Sequence, residues 1–116
     1  MKILVINGHP DKESFCQEIF RTIVENIDSN HHELESINLN EIDFDPVLRY
    51  GYRKRMEEDS FILRSQELIQ WADHFIFVYP IWWSSMPSLL KGWIDRVFTP
   101  GIAYSANNQG SFIWNY

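Results

Sequence analysis

Two segments of this chain are apolar or aromatic without interruption, Ile3-Leu4-Val5-Ile6 and Phe75-Ile76-Phe77-Val78-Tyr79. Each stops abruptly, the first at Asn7-Gly8 and the second at Pro80. A strand with one face in water alternates polar and apolar positions; a strand with no polar position must be covered on both faces, as in a parallel sheet between helical layers. Short proline-free apolar runs closed by turn residues are strands rather than fragments of a longer helix. These two runs therefore predict an α/β fold with a parallel sheet.

The segments between them supply the covering layers. Phe15, Ile19, Phe20, Ile23, Val24 and Ile27 fall on one helical stripe, with Ser14 placed to cap its start. Glu33 to Leu39 reads as a strand of mixed polarity, suited to a sheet edge. Asn40 to about Asp59 is polar, with a turn at Asp45-Pro46 and the opposed runs Arg53-Lys54-Arg55 and Glu57-Glu58-Asp59, which predict a solvated face. Residues 60–72 read as a helix burying Ile62, Leu68, Ile69 and Ala72. The last helix starts at Pro87 and carries Leu90, Trp93, Ile94, Val97 and Phe98 at i, i+3, i+4, i+7 and i+8 before Thr99-Pro100-Gly101 closes it. Strands alternating with helices imply right-handed crossovers. With no repeat, linker or low-complexity segment, residues 1–116 are expected to form a single domain.

Charge and cysteine content narrow the function. Sixteen acidic against ten basic side chains leave a net charge of -6, which disfavours a nucleic-acid partner and favours a small molecule. Cys16 is the sole cysteine, so no intramolecular disulfide or cysteine metal cluster is expected and a reducing, cytoplasmic setting fits. No stretch reaches the roughly 18 apolar residues of a membrane span, and the run after Lys2 lacks the cleavage pattern of a secretory signal. His31 and His32 lie in a polar turn, where solvation is favoured over metal binding. Lys91 and Asp95 stand one helical turn apart as an ordinary surface pair.

In an open parallel sheet, ligands bind at the carboxyl ends of the strands. Two loops qualify, Gly8 to Phe15 and Pro80 to Pro87. The first ends at a helix amino terminus, where backbone N–H groups and the helix dipole favour an anion. It has neither GxGxxG nor the Gly-Lys-Ser/Thr pattern, so a classical dinucleotide or nucleoside-triphosphate loop is poorly supported. The second holds Trp82 and Trp83 between two prolines. A stiff aromatic wall beside free amides suits an isoalloxazine ring; a hydrophobic loop packed on a neighbouring helix or subunit fits the residues equally well.

The run YPIWWSSMPSLLKGWIDRVFTPGIAYS, Tyr79 to Ser105, resembles the signature segment of the flavodoxin-like NAD(P)H dehydrogenase (quinone) family. NGHPDKESF from Asn7 and NLNEIDFDPVL from Asn38 are similar to that family's other landmarks, in the same order. The resemblance implies a flavodoxin-like three-layer fold. It also implies an enzyme that takes hydride from NAD(P)H through bound flavin, FAD or alternatively FMN, to a quinone or similar aromatic acceptor, in alternation at one site.

Position by position, the resemblance puts His9 at the flavin pyrophosphate and Phe15 and Cys16 at the opening of the helix that holds that phosphate. Cys16 stands where the family commonly has Asn, which makes it a packing residue rather than a nucleophile. Gln66 matches a glutamine contacting FAD, or else is an ordinary exposed helical glutamine. Pro80, Ile81, Trp82, Trp83 and Ser84 match the loop against the isoalloxazine, and Ala103, Tyr104 and Ser105 a segment lining the nicotinamide or quinone pocket. No catalytic residue can be assigned. Family members are commonly homodimers, so Trp82, Trp93 and Tyr104 are expected at a subunit interface as well as in the core. The family's sheet has five strands, and this chain is expected to supply the first three, as if truncated after the third strand and its following helix. Two further readings stay open: a regulatory flavoprotein subunit of a potassium efflux system, and a non-catalytic truncated remnant.

Overall fold

The computed structural model describes residues 1–102 and, as backbone, the short strands Tyr104–Ala106 and Phe112–Trp114. A three-stranded parallel sheet forms from β1 (Lys2–Asn7), β2 (Glu33–Asn38) and β3 (His74–Val78), in the order β2-β1-β3. β1, with its apolar run Ile3 to Ile6, is central, its Leu4, Val5 and Ile6 excluded from solvent, while the mixed-polarity β2 takes an edge. Both placements follow from what each strand can afford to show water.

Strand alternation divides the core in two. Ile3 and Val5 point to one face, where they meet Phe20 of α1 (Phe15–Asn26). Leu4 and Ile6 point to the other and join Ile62, Leu68 and Ile69 of α2 (Ser60–Trp71) and Leu90, Trp93 and Val97 of α3 (Ser88–Val97). This is the three-layer arrangement that the sequence implies.

The helix starts are held by side chains. Ser14 Oγ accepts from the Gln17 N–H at 3.2 Å, and Asp59 Oδ1 accepts from the N–H groups of Phe61 and Ile62 at 2.8 and 3.3 Å. Pro87 is the cap residue before α3 rather than its first helical residue. Lys91 Nζ donates to Asp95 Oδ1 at 2.6 Å, as the spacing predicts.

Two expectations are corrected. Phe15 and Ile19 leave the buried stripe of α1, Phe15 at 80% and Ile19 at 37% exposure, while Phe20 stays buried. Trp93 is fully buried, its Nε1 donating to Ser65 Oγ at 3.0 Å, so it faces the core and not a subunit interface. Beyond α3, β4 (Tyr104–Ala106) and β5 (Phe112–Trp114) pair antiparallel with each other and form a sheet of their own, so the parallel sheet keeps the three strands expected.

Close backbone approach fixes two glycines. A Cβ on Gly92 would lie 2.3 Å from Pro46 Cβ and 2.4 Å from the Pro46 carbonyl oxygen, so the 45–49 loop rests directly on α3. A Cβ on Gly8 would lie 2.7 Å from Leu90 Cδ2, which sets the distance at which the loop after β1 crosses the same helix. Among the described residues no helix is long and apolar enough to cross a membrane, and no three His, Cys, Asp or Glu residues gather as metal ligands.

Candidate functional site

The two loops singled out from sequence meet at the carboxyl end of the sheet. The Gly8 N–H donates to the Val78 carbonyl at 2.8 Å, extending the β1–β3 pairing into the loops. One residue later the His9 ring meets the Trp82 ring edge-on, centroids 5.4 Å apart and planes 80° apart. His9 and the loop after β3 are thus brought together, 73 positions apart in sequence.

The first loop is held from beneath by a group of amides. The His9 N–H donates to Asn7 Oδ1 at 3.1 Å, and Asn40 Nδ2 reaches the His9 carbonyl at 3.3 Å. Asn7 Nδ2 in turn donates to Gln17 Oε1 at 3.1 Å and to Asn38 Oδ1 at 3.0 Å, and Asn40 Nδ2 donates to the same Gln17 oxygen at 2.8 Å. Asn7 is fully buried and Gln17 nearly so, which makes these contacts strong and their loss costly. Sequence reasoning missed the four residues Asn7, Gln17, Asn38 and Asn40: a lone Asn at a strand end reads as a turn residue. The available signal was that Asn7, Asn38 and Asn40 all sit at or just beyond the carboxyl ends of neighbouring parallel strands.

The His9 side chain is itself oriented. Its Nδ1 accepts from the Asp11 N–H at 2.9 Å, which leaves Nε2 to carry the proton. An Nε2–H donor near the amino terminus of α1, where the N–H groups of Phe15 and Cys16 lack intrahelical acceptors, is an arrangement that takes an anion. Cys16 is half-buried and Phe15 stands out in solvent.

The second loop is a tight turn. Trp82 N–H donates to the Ser85 carbonyl at 2.9 Å and Ser85 N–H to the Trp82 carbonyl at 3.0 Å. Between them Trp83 and Ser84 adopt φ of 52° and 59°. This is the two-residue turn normally built from Asn and Gly, and here both positions carry side chains that disfavour it. The turn projects Trp83 into solvent at 101% exposure, with Ile81 and Trp82 also exposed and Pro80 half-buried. Strain at a non-glycine pair, together with an indole no core explains, marks a position shaped by something other than folding.

The other sequence candidates lie elsewhere. Gln66 sits on α2, its Nε2 donating to Thr99 Oγ1 at 3.4 Å, and it lines a groove of about 600 Å³ shared with Arg96 and the 51–59 segment. Ala103 lies outside the described residues, and Tyr104 and Ser105 are described only as backbone of β4. A second groove, of about 520 Å³, runs along β2 between Phe20 and Phe61. Both grooves are lined by residues outside the His9–Trp82 contact.

Comparison with known proteins agrees with this architecture. A family described by its flavodoxin-like fold matches residues 1–113. A ribosyldihydronicotinamide dehydrogenase-like protein of Penicillium crustosum is 29% identical over 98% of this chain and 50% of its own length. The crystal structure of Smu.1420 from Streptococcus mutans superposes with a TM-score of 0.82 at 37% identity, covering 97% of this chain and 60% of that one. The NAD(P)H:quinone oxidoreductase of Methanothermobacter marburgensis superposes at 0.75 with 30% identity, over 90% of this chain and 57% of that one. The chain spans about half the length of the curated relatives it matches. With the family's fold matched along nearly the whole chain and the landmark segments in their places, the chain belongs to the flavodoxin-like NAD(P)H dehydrogenase (quinone) family.

Proposed function

We propose that the loops Gly8–Ser14 and Tyr79–Pro87 hold a flavin, FAD in preference to FMN, and that the protein is an NAD(P)H:quinone oxidoreductase. The observation that carries this reading is the contact of His9, oriented in the loop that leads into α1, with Trp82, whose loop displays the neighbouring Trp83 on a strained turn. The residues present fit the group. His9 Nε2–H and the Phe15 and Cys16 N–H groups offer donors to a pyrophosphate, with Ser14 already committed to the Gln17 N–H. Pro80, Ile81, Trp82, Trp83 and Ser84 offer a flat apolar wall for an aromatic ring, with backbone amides beside it. A bound flavin would supply the chemistry, accepting hydride from a nicotinamide and passing it to a quinone.

The chain's own residues position and enclose. The amide group beneath His9 fixes the loop backbone, so the donors do not have to be ordered when ligand arrives. Trp83, rigid on its turn, presents one face at low entropic cost and excludes water from that side of the cleft. Their match to the family segment supports a place for Ala103, Tyr104 and Ser105 along the nicotinamide or quinone pocket, with donor and acceptor using one site in turn. The single cysteine is consistent with work in a reducing compartment.

The test is flavin titration of the full-length polypeptide, read by quenching of tryptophan fluorescence, followed by NAD(P)H oxidation with a soluble quinone. Saturable FAD binding that is lost in Trp83→Ala and weakened in His9→Ala is the expected result. Flavin binding indifferent to both substitutions would sink the assignment of these loops.

A further inference from the structure

Among the described residues β2 pairs with β1 alone, so one side of its backbone faces outward from the sheet. The Glu33 N–H donates to the Met1 carbonyl at 3.0 Å, which turns the N–H groups of Glu33, Glu35 and Ile37 toward β1. Alternation along the strand then turns the N–H groups of Leu34 and Ser36 to the open side.

The 520 Å³ groove lies on that side. One wall is α1, through Phe20 and Val24, and the other is α2, through Phe61 and Leu68, with residues 35–38 of β2 between them. Helices from opposite faces of the sheet can line one groove at β2 only beyond its edge. Ser36 is in register with Val5 and shares its face, toward α1; Glu35 is in register with Leu4 and faces α2, where Arg64 meets its carboxylate at 3.6 Å. A slot along an open strand edge, walled by apolar side chains on both faces, fits an extended chain: backbone to β2, alternate side chains to the two helices.

Charge selects the occupant. Arg21 and Arg64, the cations that line the slot, are matched by Glu18 and Glu67, each at 3.2 Å. Glu25 and Glu41 line it as well, and both are exposed. The crossover helix α1 returns antiparallel to the strands, which sets Glu25, in its last turn, near the amino end of β2, while Glu41 follows the carboxyl end. A second copy of β2 would bring Glu33 and Glu35 of its own to this acidic edge, and like charges across a strand pair are destabilising. A basic segment meets a carboxylate at either end instead.

We propose that the β2 edge docks an extended basic segment of a partner protein, which joins the sheet as a further strand. Its backbone pairs with Leu34 and Ser36, its apolar residues alternate between the Phe20 and Phe61 walls, and its terminal cations meet Glu25 and Glu41. No residue of the two flavin loops lines the slot, so the proposal stands apart from the flavin reading.

The test titrates the isotopically labelled full-length polypeptide with the end-blocked peptide Arg-Val-Val-Val-Arg and follows backbone amide shifts and hydrogen exchange. Saturable shifts at residues 34–38, with exchange slowed more at Leu34 and Ser36 than at Glu35 and Ile37, are the expected result. The peptide N-methylated at its valines, and its counterpart with Glu in place of Arg, should not bind. Ser36→Pro removes an outward donor and leaves the β1 ladder intact, so it should weaken binding about tenfold. Glu25→Gln and Glu41→Gln should weaken it about two- to threefold each and flatten its salt dependence. Should Ser36→Pro fail to fold by near-UV circular dichroism, the two glutamine variants and the N-methylated peptide carry the decision. Four results would overturn the proposal: no saturable shift; equal binding of the N-methylated or the acidic peptide; binding unchanged in a folded Ser36→Pro or in both glutamine variants; or shifts at residues 34–38 that follow protein concentration without peptide, which would give the edge to a second copy.

Discussion

The imidazole of His9 and the indole of Trp82 meet edge to face at 5.4 Å, and this contact joins the two loops that close the carboxyl end of the sheet. Since His9 is also fixed through Asn7, Asn40 and Asp11, the position of the Trp82 turn is referred back to the buried amides under β1. We expect His9→Ala to weaken FAD binding while leaving the unfolding midpoint nearly unchanged, because the loop holds little apolar surface. Asn40→Ala should weaken FAD binding through His9 and also cost stability, since it leaves Gln17 Oε1 with one donor fewer. Paired titration and thermal unfolding separate the two, and an Asn40→Ala variant with wild-type affinity would show that the amides support the fold alone.

The Trp83–Ser84 turn stores backbone strain that glycine would relieve. A left-handed residue with a side chain costs about 1–2 kcal/mol, so Ser84→Gly is expected to raise stability by about that amount. Trp83→Gly should do the same while abolishing flavin retention, which makes it a stabilising substitution that removes function. Should Trp83→Gly lower the unfolding midpoint, the indole contributes to the fold and the turn is not strained for function.

Trp93 supplies the contrast to Trp83. Fully buried between Phe77, Phe98 and Ser65, it should cost about 3–5 kcal/mol when cut to alanine, with any loss of flavin following from the loss of fold. One residue earlier, Gly92→Ala drives a methyl into the Pro46 backbone and should cost about 1–3 kcal/mol or more, whereas Lys91→Ala on the exposed face should cost well under 1 kcal/mol. Denaturant unfolding of the three variants checks the order.

Sheet, helices and order were legible because apolar runs and stripes report burial directly: Leu4, Val5, Ile6, Leu90 and Val97 lie where their periodicity puts them. The stripe on α1 misled at Phe15 and Ile19, since periodicity gives the face a helix turns inward and not which of its positions are covered. The amides at Asn7, Gln17, Asn38 and Asn40 and the buried Arg96 were illegible for one reason. A polar side chain reads as solvated unless its partners are known, and theirs are up to 51 positions away. The Trp83–Ser84 turn escaped because its conformation is the one its residue types argue against.

The 45–49 loop should respond to acid. A hydrogen bond from Arg49 holds the Asp45 carboxyl below the ordinary carboxylate range, helped by the Val47 N–H and by the charges of Arg49 and Arg96, against a small opposing effect of burial. A carboxyl lowered in the folded state stabilises it above the unfolded value and loses that contribution as pH falls through the folded one. The difference in unfolding midpoint between the wild type and Asp45→Asn should therefore be constant from neutrality to about pH 5 and shrink below about pH 4. A difference that stays constant into the acid range would mean that the clasp does not outlast solvent screening.

Assembly is the remaining expectation. Ile81, Trp82 and Trp83 present a run of exposed apolar surface beside the sheet's carboxyl end, larger than scattered surface hydrophobics explain. β3 stands last in the order β2-β1-β3 with Ile76 and Phe77 half-buried, and none of its residues from Phe75 to Val78 carries the charge that guards a natural edge. The family resemblance adds a preference for homodimers. A polypeptide of these 116 residues is therefore expected to sediment as a dimer or larger species at micromolar concentration, with near-UV circular dichroism confirming fixed packing. Trp83→Ala should weaken that association, because it removes the most exposed indole among the described residues, and Trp93→Ala should act only through the fold, because its indole is fully buried. A monomer that unfolds cooperatively at the same concentration would show that the aromatic turn is kept for ligand alone and that three strands with their helices close a sufficient core.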